Sequence, residues 1–170
     1  MRVEPQAIPL LCGLAALVVT DLHARRLPNW IVLPLWACGI GLHAWAGGAG
    51  SAVGSAIESV AAAAPLGLAF SAGLCGGGDV KLLGAIAAWL GCLTALWVLA
   101  AGLLLSGLYA AVQLASNASL RREVQTHLLV LASGAGMPAP RRSRRQMVPF
   151  GAALAVSAAL AALWLGISHA

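Results

Sequence analysis

Aspartate occurs at two positions in this 170-residue chain, Asp21 and Asp79, and both stand beside strongly apolar sequence. Two carboxylates that meet at a partly dehydrated depth do not ionise together easily, because burial and mutual repulsion both favour a protonated form. Such a pair shares one proton. Its ionised member can take a proton from water while its protonated member polarises a carbonyl, which is chemistry that hydrolyses a peptide bond without a metal or cofactor.

Each aspartate also has a structural interpretation. Asp79 follows three glycines and opens an apolar stretch, where an acid can cap a helix and interact with its dipole. Asp21 closes an apolar stretch beside Arg25 and Arg26, where it can be a solvated surface charge. The sequence does not show whether the two helix ends touch, so both interpretations stay open at this point.

The segments that must position these acids are apolar helices, because 61% of the residues are apolar and 9% are charged. Five apolar runs have the length of a transmembrane helix or fall slightly short of it: Ala7–Thr20, Trp30–Trp45, Val53–Leu74, Leu93–Ala115 and Val148–Ser168. Val80–Leu90 is shorter and predicts a half-length helix that starts at Asp79. We therefore predict an all-α, polytopic membrane protein with about six helical segments in a single domain over residues 1–170.

The basic residues predict the orientation of these helices. All but Arg2 lie in three connections: Arg25, Arg26, Lys81, Arg121, Arg122, Arg141, Arg142, Arg144 and Arg145. By the positive-inside rule those connections are cytoplasmic, and the uncharged turns at Gly47–Gly54 and Gly91–Cys92 face the other side. Both termini are then outside, and Asp21 and Asp79 lie at the same depth on the cytoplasmic side.

The long connection Ser116–Met147 has two parts. Its first part places Leu120, Val124, Leu128 and Leu131 at helical spacing, which predicts a helix in the membrane interface. Its second part is rich in glycine, proline and arginine, a composition typical of a linker that contacts anionic lipid. The net charge of +5 is therefore attributed to topology and lipid headgroups, and nucleic acid is not expected as a partner.

Other ionisable residues give weaker signals. The histidines and cysteines lack metal-ligand spacing and form no C-x-x-C pair, so no metal site is expected. Glu58 lies within a span near the opposite face from the aspartates, which favours a structural hydrogen bond or a partly solvated position. His23 lies near Asp21 and fits a loop residue equally well. Whether Glu58, His23 or Lys81 contributes to chemistry stays open.

Three segments resemble the type IV prepilin peptidases, which are membrane aspartic proteases. Gly76, Gly78, Asp79 and Lys81 fit the family's G-x-G-D-x-K signature. Asp21, Arg25, Arg26, Pro28 and Asn29 fit the segment with its first catalytic aspartate. Pro149, Phe150 and Gly151 fit its P-F-G-P segment, whereas Ala152 departs from that pattern. The three segments occur in the family's order and extend over nearly the whole chain.

The resemblance implies an aspartic endopeptidase of the bacterial inner membrane that cleaves the short basic leader of prepilins or pseudopilins on the cytoplasmic side. Asp21 and Asp79 would be catalytic. Gly76, Gly77, Gly78, Lys81, Pro149, Phe150 and Gly151 would shape the substrate site. Without Cβ atoms, the glycines can adopt positive φ and can let a peptide approach closely. Without C-x-x-C motifs the chain is similar to the peptidase-only branch that serves tight-adherence (Flp-type) pili, and no methyl transfer is expected.

Two alternatives come from other classes of protein. A non-catalytic membrane subunit of a pilus or secretion assembly would share the fold, although it would have no need of both aspartates. A small proton-coupled transporter would carry acids along a path through the middle of the membrane, where neither aspartate is expected. The identity of the precursor, the oligomeric state and the exact span boundaries are not determined by the sequence.

Overall fold

The computed structural model describes residues 7–24, 27–132 and 150–168. This part of the chain forms helices joined by turns, as the sequence predicts: α1 (Ala7–Ala24), α2 (Asn29–Ser71), α3 (Gly77–Leu90), α4 (Cys92–Ser116), α5 (Ala118–Ala132) and α6 (Phe150–Ser168). Arg25, Arg26, Pro149 and the basic linker that precedes Pro149 lie outside the described residues.

Helix α2 is a hairpin of two helical halves. Gly48 breaks its helical geometry with φ 73° and ψ −169°, values that favour glycine. The Trp36 indole nevertheless donates a hydrogen bond to the Ser59 hydroxyl at 2.9 Å, although a straight helix would separate these residues by about 35 Å. The chain therefore reverses at Gly48. The sequence predicted this reversal over Gly47–Gly54, and the structure places it at one residue.

Helix α3 packs most extensively against this hairpin. The Ser59 hydroxyl donates to the Gly84 carbonyl at 2.7 Å, and the Trp89 indole donates to the Leu35 carbonyl at 2.7 Å. Every residue from 82 to 88 is buried, so α3 is a core helix of the bundle. It starts at Gly77, two residues before the predicted start at Asp79, because the last two glycines form its first turn.

The remaining core contacts bring α1 and α6 to α2 and α3. Leu10, Leu14 and Leu17 share one face of α1 and are almost fully buried. Helix α1 packs mainly on α6 and also on α2, and α6 also contacts α3. Gly102 of α4 lies against the backbone of Leu154 in α6, the close helix packing expected of small residues. In space, the end of α1 lies beside the starts of α2, α3 and α6.

The surface of the described residues suits a lipid environment. By length and composition, Asn29–Ser71 and Cys92–Ser116 could each cross a membrane. Each half of α2 is about 20 residues long, enough for one bilayer crossing. Large apolar side chains are exposed along the helices, including Trp45 at 91% and Leu104 at 75% of their surface. The orientation and the number of crossings stay predictions.

The chain divides into two compact units, residues 1–103 with 149–170 and residues 104–148. In the second unit, Asn117 stands between α4 and α5 and donates to the Gln113 side chain at 2.9 Å. Its carbonyl accepts the Arg121 N–H at 3.1 Å, so α5 begins directly after α4 ends. A helix in this part of the connection was predicted, and α5 confirms it. The single peptidase domain over residues 1–170 stays a prediction.

Candidate active site

Asp21 lies in the last turn of α1 and is 6% exposed. Its Oδ2 accepts a hydrogen bond of 2.7 Å from the backbone N–H of Ala152. Ala152 is the third residue of α6, and N–H groups in the first turn of a helix have no acceptor within that helix. The positive end of the α6 dipole also faces the carboxylate. Both effects favour the ionised form of Asp21.

Asp79 lies in the first turn of α3, outside the two candidate spans, and is half-buried. Its Oδ2 accepts the Gly76 N–H at 3.3 Å, so the helix-capping interpretation of this residue is correct as far as that bond goes. Burial raises the pKa of Asp79 to about 6. The Gly76 bond opposes this rise, and the charge of Asp21 adds to it.

The two carboxylates are therefore close enough for the charge of Asp21 to act on Asp79. Leu27 lies in the short connection between α1 and α2. It fills the space between the segments that carry and contact the two aspartates. A Cβ added at Gly78 would lie 3.1 Å from Leu27 Cβ, and one added at Gly151 would lie 3.0 Å from Leu27 Cδ1. One half-buried leucine thus contacts the glycine before Asp79 and the glycine before Ala152.

The three glycines before Asp79 do not adopt positive φ. Among the described residues, positive φ occurs at Gly48, Gly73 and Gly91, and Gly76 has φ −86°. Gly76 is the N-cap of α3, while Gly77 and Gly78 are helical. The turn needs its left-handed residue earlier, at Gly73, and leaves the following glycines free to start a helix. Gly78 lies against Leu27, and close approach of a substrate peptide to these glycines stays a prediction.

Lys81 connects two of the sequence segments singled out above. Its Nζ donates a hydrogen bond to Oδ1 of Asn29 at 3.2 Å, across 52 positions of sequence. Asn29 is the first residue of α2, so this contact joins the start of α2 to the first part of α3. Both side chains are exposed, and a contact with substrate or with Asp79 stays a prediction for Lys81.

At the start of α6, Gly151 is buried against Asp21 and Leu27. A Cβ added there would lie 3.2 Å from Asp21 Oδ2. Phe150 is partly buried and packs on the hydrophobic core, and Pro149 lies outside the described residues. A role of this segment in shaping a substrate site stays a prediction. Its contact with Asp21 places it beside the carboxylates.

Three other ionisable or nucleophilic residues have separate positions. Oε2 of Glu58 accepts the Cys92 N–H at 2.9 Å and so caps α4, which matches the structural hydrogen bond predicted for it. Cys75 precedes Gly76, and burial together with the charge of Asp79 raises the pKa of its thiol. His23 is exposed on α1. Within residues 7–24, 27–132 and 150–168, no group of three His, Cys, Asp or Glu is placed to hold a metal ion.

Sequence reasoning missed Leu27 and Ala152. Leu27 is one apolar residue among many, and its signal was only its place between two basic residues and Pro28–Asn29. Ala152 was noticed for a departure from a pattern, but its contribution is a backbone N–H, which a side-chain pattern does not display.

These features define a helical membrane protein with two carboxylates beside the start of α6. One carboxylate lies in the last turn of α1 and the other in the first turn of α3. Residues 8–111 match the type IV leader peptidase family, and the chain belongs to that family of peptidases. The match includes both aspartates and ends before α6. No curated protein and no solved structure gave a significant match.

Proposed function

We propose that the protein is an aspartic endopeptidase that removes the short basic leader from type IV or Flp-type prepilins or pseudopilins. The observation that carries this proposal is that the charge of Asp21 acts on Asp79, in a chain of the type IV leader peptidase family. These are the only aspartates of the sequence, and 58 positions separate them, so their proximity depends on the fold.

In the proposed reaction, ionised Asp21 takes a proton from a water as that water attacks the carbonyl carbon of the scissile peptide bond. Protonated Asp79 donates a hydrogen bond to the carbonyl oxygen and stabilises the charge that develops there. When the tetrahedral intermediate collapses, the leaving nitrogen takes the proton that Asp21 received from water, the C–N bond breaks, and Asp21 is ionised again. The raised pKa of Asp79 supports its role as the proton donor.

The substrate proposal rests on the family and on the predicted topology. A prepilin leader lies directly before an apolar helix, so its scissile bond would lie at the cytoplasmic membrane surface. The basic residues predict that same depth for Asp21 and Asp79. Gly76–Gly78, Lys81 and Pro149–Gly151 would line the path of the peptide. We place the protein in the bacterial inner membrane, with no methyl transfer.

Co-expression with a candidate Flp-type prepilin tests this function. Wild-type protein should convert the precursor to a shorter product, and mass spectrometry should show a trimmed N-terminus without an added methyl group. Asp21→Asn and Asp79→Asn should each abolish conversion, because each removes one member of the pair. Normal processing by either variant would show that the dyad assignment is wrong.

Glu58→Gln is the matched control, since it neutralises an acid whose described hydrogen bond caps α4. It should process the precursor at the wild-type rate. A non-catalytic subunit would give no conversion with any variant. A proton-coupled transporter would likewise give no conversion, so cleavage by the wild type excludes both alternatives.

A further inference from the structure

The two carboxylates differ in the donors that surround them. Asp21 is buried and accepts the N–H of a residue 131 positions away, at 2.7 Å. Asp79 is more exposed, and its donor is the N–H of its near neighbour Gly76, at 3.3 Å. A short hydrogen bond in a dry site favours a charge more than a long one beside solvent does. The pair is therefore asymmetric.

The donor to Asp21 is available because of where α6 begins. Ala152 lies in the first turn, so its N–H is not used by the helix and can bind a carboxylate at no cost to the α6 ladder. Position 152 is also where the chain departs from the P-F-G-P pattern. Proline has no N–H, so a proline at this position could not form the bond seen here.

We propose that the Ala152 N–H is a positioning group that holds Asp21 as the ionised member of the pair and leaves the shared proton on Asp79. Resting on the proposed function, this assigns the base to Asp21 and the acid to Asp79. Ala152 touches neither water nor substrate in this scheme. It acts through Asp21.

The other charged groups near Asp21 are few in the described part of the chain. Helix α3 contributes Asp79, which repels its charge, and Lys81, which is bound to Asn29. Helix α1 contributes His23, which is exposed, and the described part of α6 contains no titratable side chain. The start of α2 contributes none before His43. The N–H at the α6 terminus is thus a described group that favours a negative charge on Asp21.

Carboxyl ¹³C NMR of the full chain tests the proposal directly, because [4-¹³C]aspartate labels two residues. The protein is titrated in detergent micelles, and Asp21→Asn assigns the remaining signal to Asp79. In the wild type, Asp21 should stay ionised at a pH where Asp79 is already protonated. If Asp21 takes up its proton first on acidification, the proposal is wrong, and this result needs no variant at position 152.

Ala152→Pro removes the N–H in the first helical turn, where no bond of the α6 ladder depends on it. Its Asp21 signal should titrate about one to two pH units higher than in the wild type, the effect of losing one hydrogen bond to a charged group. Ala152→Gly keeps the N–H and should titrate like the wild type. An unchanged Asp21 signal in Ala152→Pro, or an equal shift in both variants, would overturn the proposal.

The processing assay separates this proposal from the proposed function. If wild-type protein cleaves no prepilin, the function fails, while the titration still reports which carboxylate holds the proton. If wild-type protein cleaves and Ala152→Pro shows no displacement of its pH–rate profile, the function stands and the role of Ala152 fails. With both proposals correct, the acidic limb of the profile moves up by about one pH unit in Ala152→Pro and stays in place in Ala152→Gly.

Discussion

Leu27 packs between Gly78 and Gly151. Alanine substitution at each glycine measures how much room this packing leaves. A Cβ at position 151 would lie 3.0 and 3.1 Å from the two Cδ atoms of Leu27 and 3.2 Å from Asp21 Oδ2. Ordinary carbon contacts lie at about 3.5–4.0 Å, so the neighbours must move. Leu27 can change rotamer, but Asp21 Oδ2 is held by its bond to Ala152.

The expected magnitude combines two opposing effects. Replacing a helical glycine by alanine stabilises by about 0.5–1 kcal/mol, because the unfolded chain loses freedom. Overpacking a tight site costs about 1–3 kcal/mol. Gly151→Ala should therefore lower the free energy of unfolding by about 1–2 kcal/mol. Gly67→Ala is the matched control, since an added Cβ meets nothing within 4 Å there, and it should stabilise slightly.

The assay is reversible unfolding in mixed detergent micelles, followed by a double-mutant cycle with Leu27→Ala. That change removes both Cδ atoms and should recover the part of the loss in Gly151→Ala that Leu27 causes, while the contact with Asp21 Oδ2 remains. It should recover much less in Gly78→Ala, because the nearest atom there is Leu27 Cβ at 3.1 Å, which alanine retains. Equal rescue at both glycines, or a Gly151→Ala protein as stable as the Gly67→Ala control, would refute this account of the packing.

Three further predictions concern other contacts. Ser59→Ala leaves the Trp36 N–H without its acceptor and should destabilise the protein by about 1 kcal/mol in the same unfolding assay. Ser71 is exposed and loses only a bond to the Leu68 carbonyl, so Ser71→Ala should change the stability little. The Asp79 carboxyl signal should titrate near pH 6 and at lower pH in Asp21→Asn, because that variant removes the repulsion but keeps the burial; an unchanged midpoint would contradict the contact. The pKa of Asp79 in the folded protein lies above its ordinary value, so the folded state binds this proton more tightly than the unfolded state does. The contribution of the proton to the free energy of unfolding should therefore fall as pH rises through about 6. Unfolding measured at about pH 4 and about pH 7 checks this.

The sequence predicted the helices well because apolar length and charge are strong signals in a membrane protein. It placed α4 and α6 within about two residues, and it expected the reversal between the two halves of α2. It did not predict how tight that reversal is, because nothing in Gly47–Gly54 marks Gly48 among several glycines. Composition identifies a turn, while packing of Trp36 on Ser59 determines where it occurs.

In the candidate active site, too, the sequence identified some residues and missed others. Asp21 and Asp79 were identified because acids are rare in this chain, and their placement at one end followed from the arginines. The partners of those acids were not identified, because Ala152 contributes only backbone and Leu27 only shape. Trp36 and Trp89 donate hydrogen bonds inside the bundle. Neither periodicity nor position in the sequence distinguishes these two tryptophans from the others.

The contact between Asp21 and Ala152 also has a consequence for biosynthesis. The two residues are 131 positions apart, and a ribosome needs on the order of ten seconds to add that many. During that interval α1, α2 and α3 can already be in the membrane, with both aspartates present and the donor to Asp21 still unmade. The carboxylate acquires its buried partner only when α6 arrives. Completion of the site is therefore tied to the synthesis of α6, and a nascent chain that has synthesised both acids does not yet hold Asp21 with its buried partner.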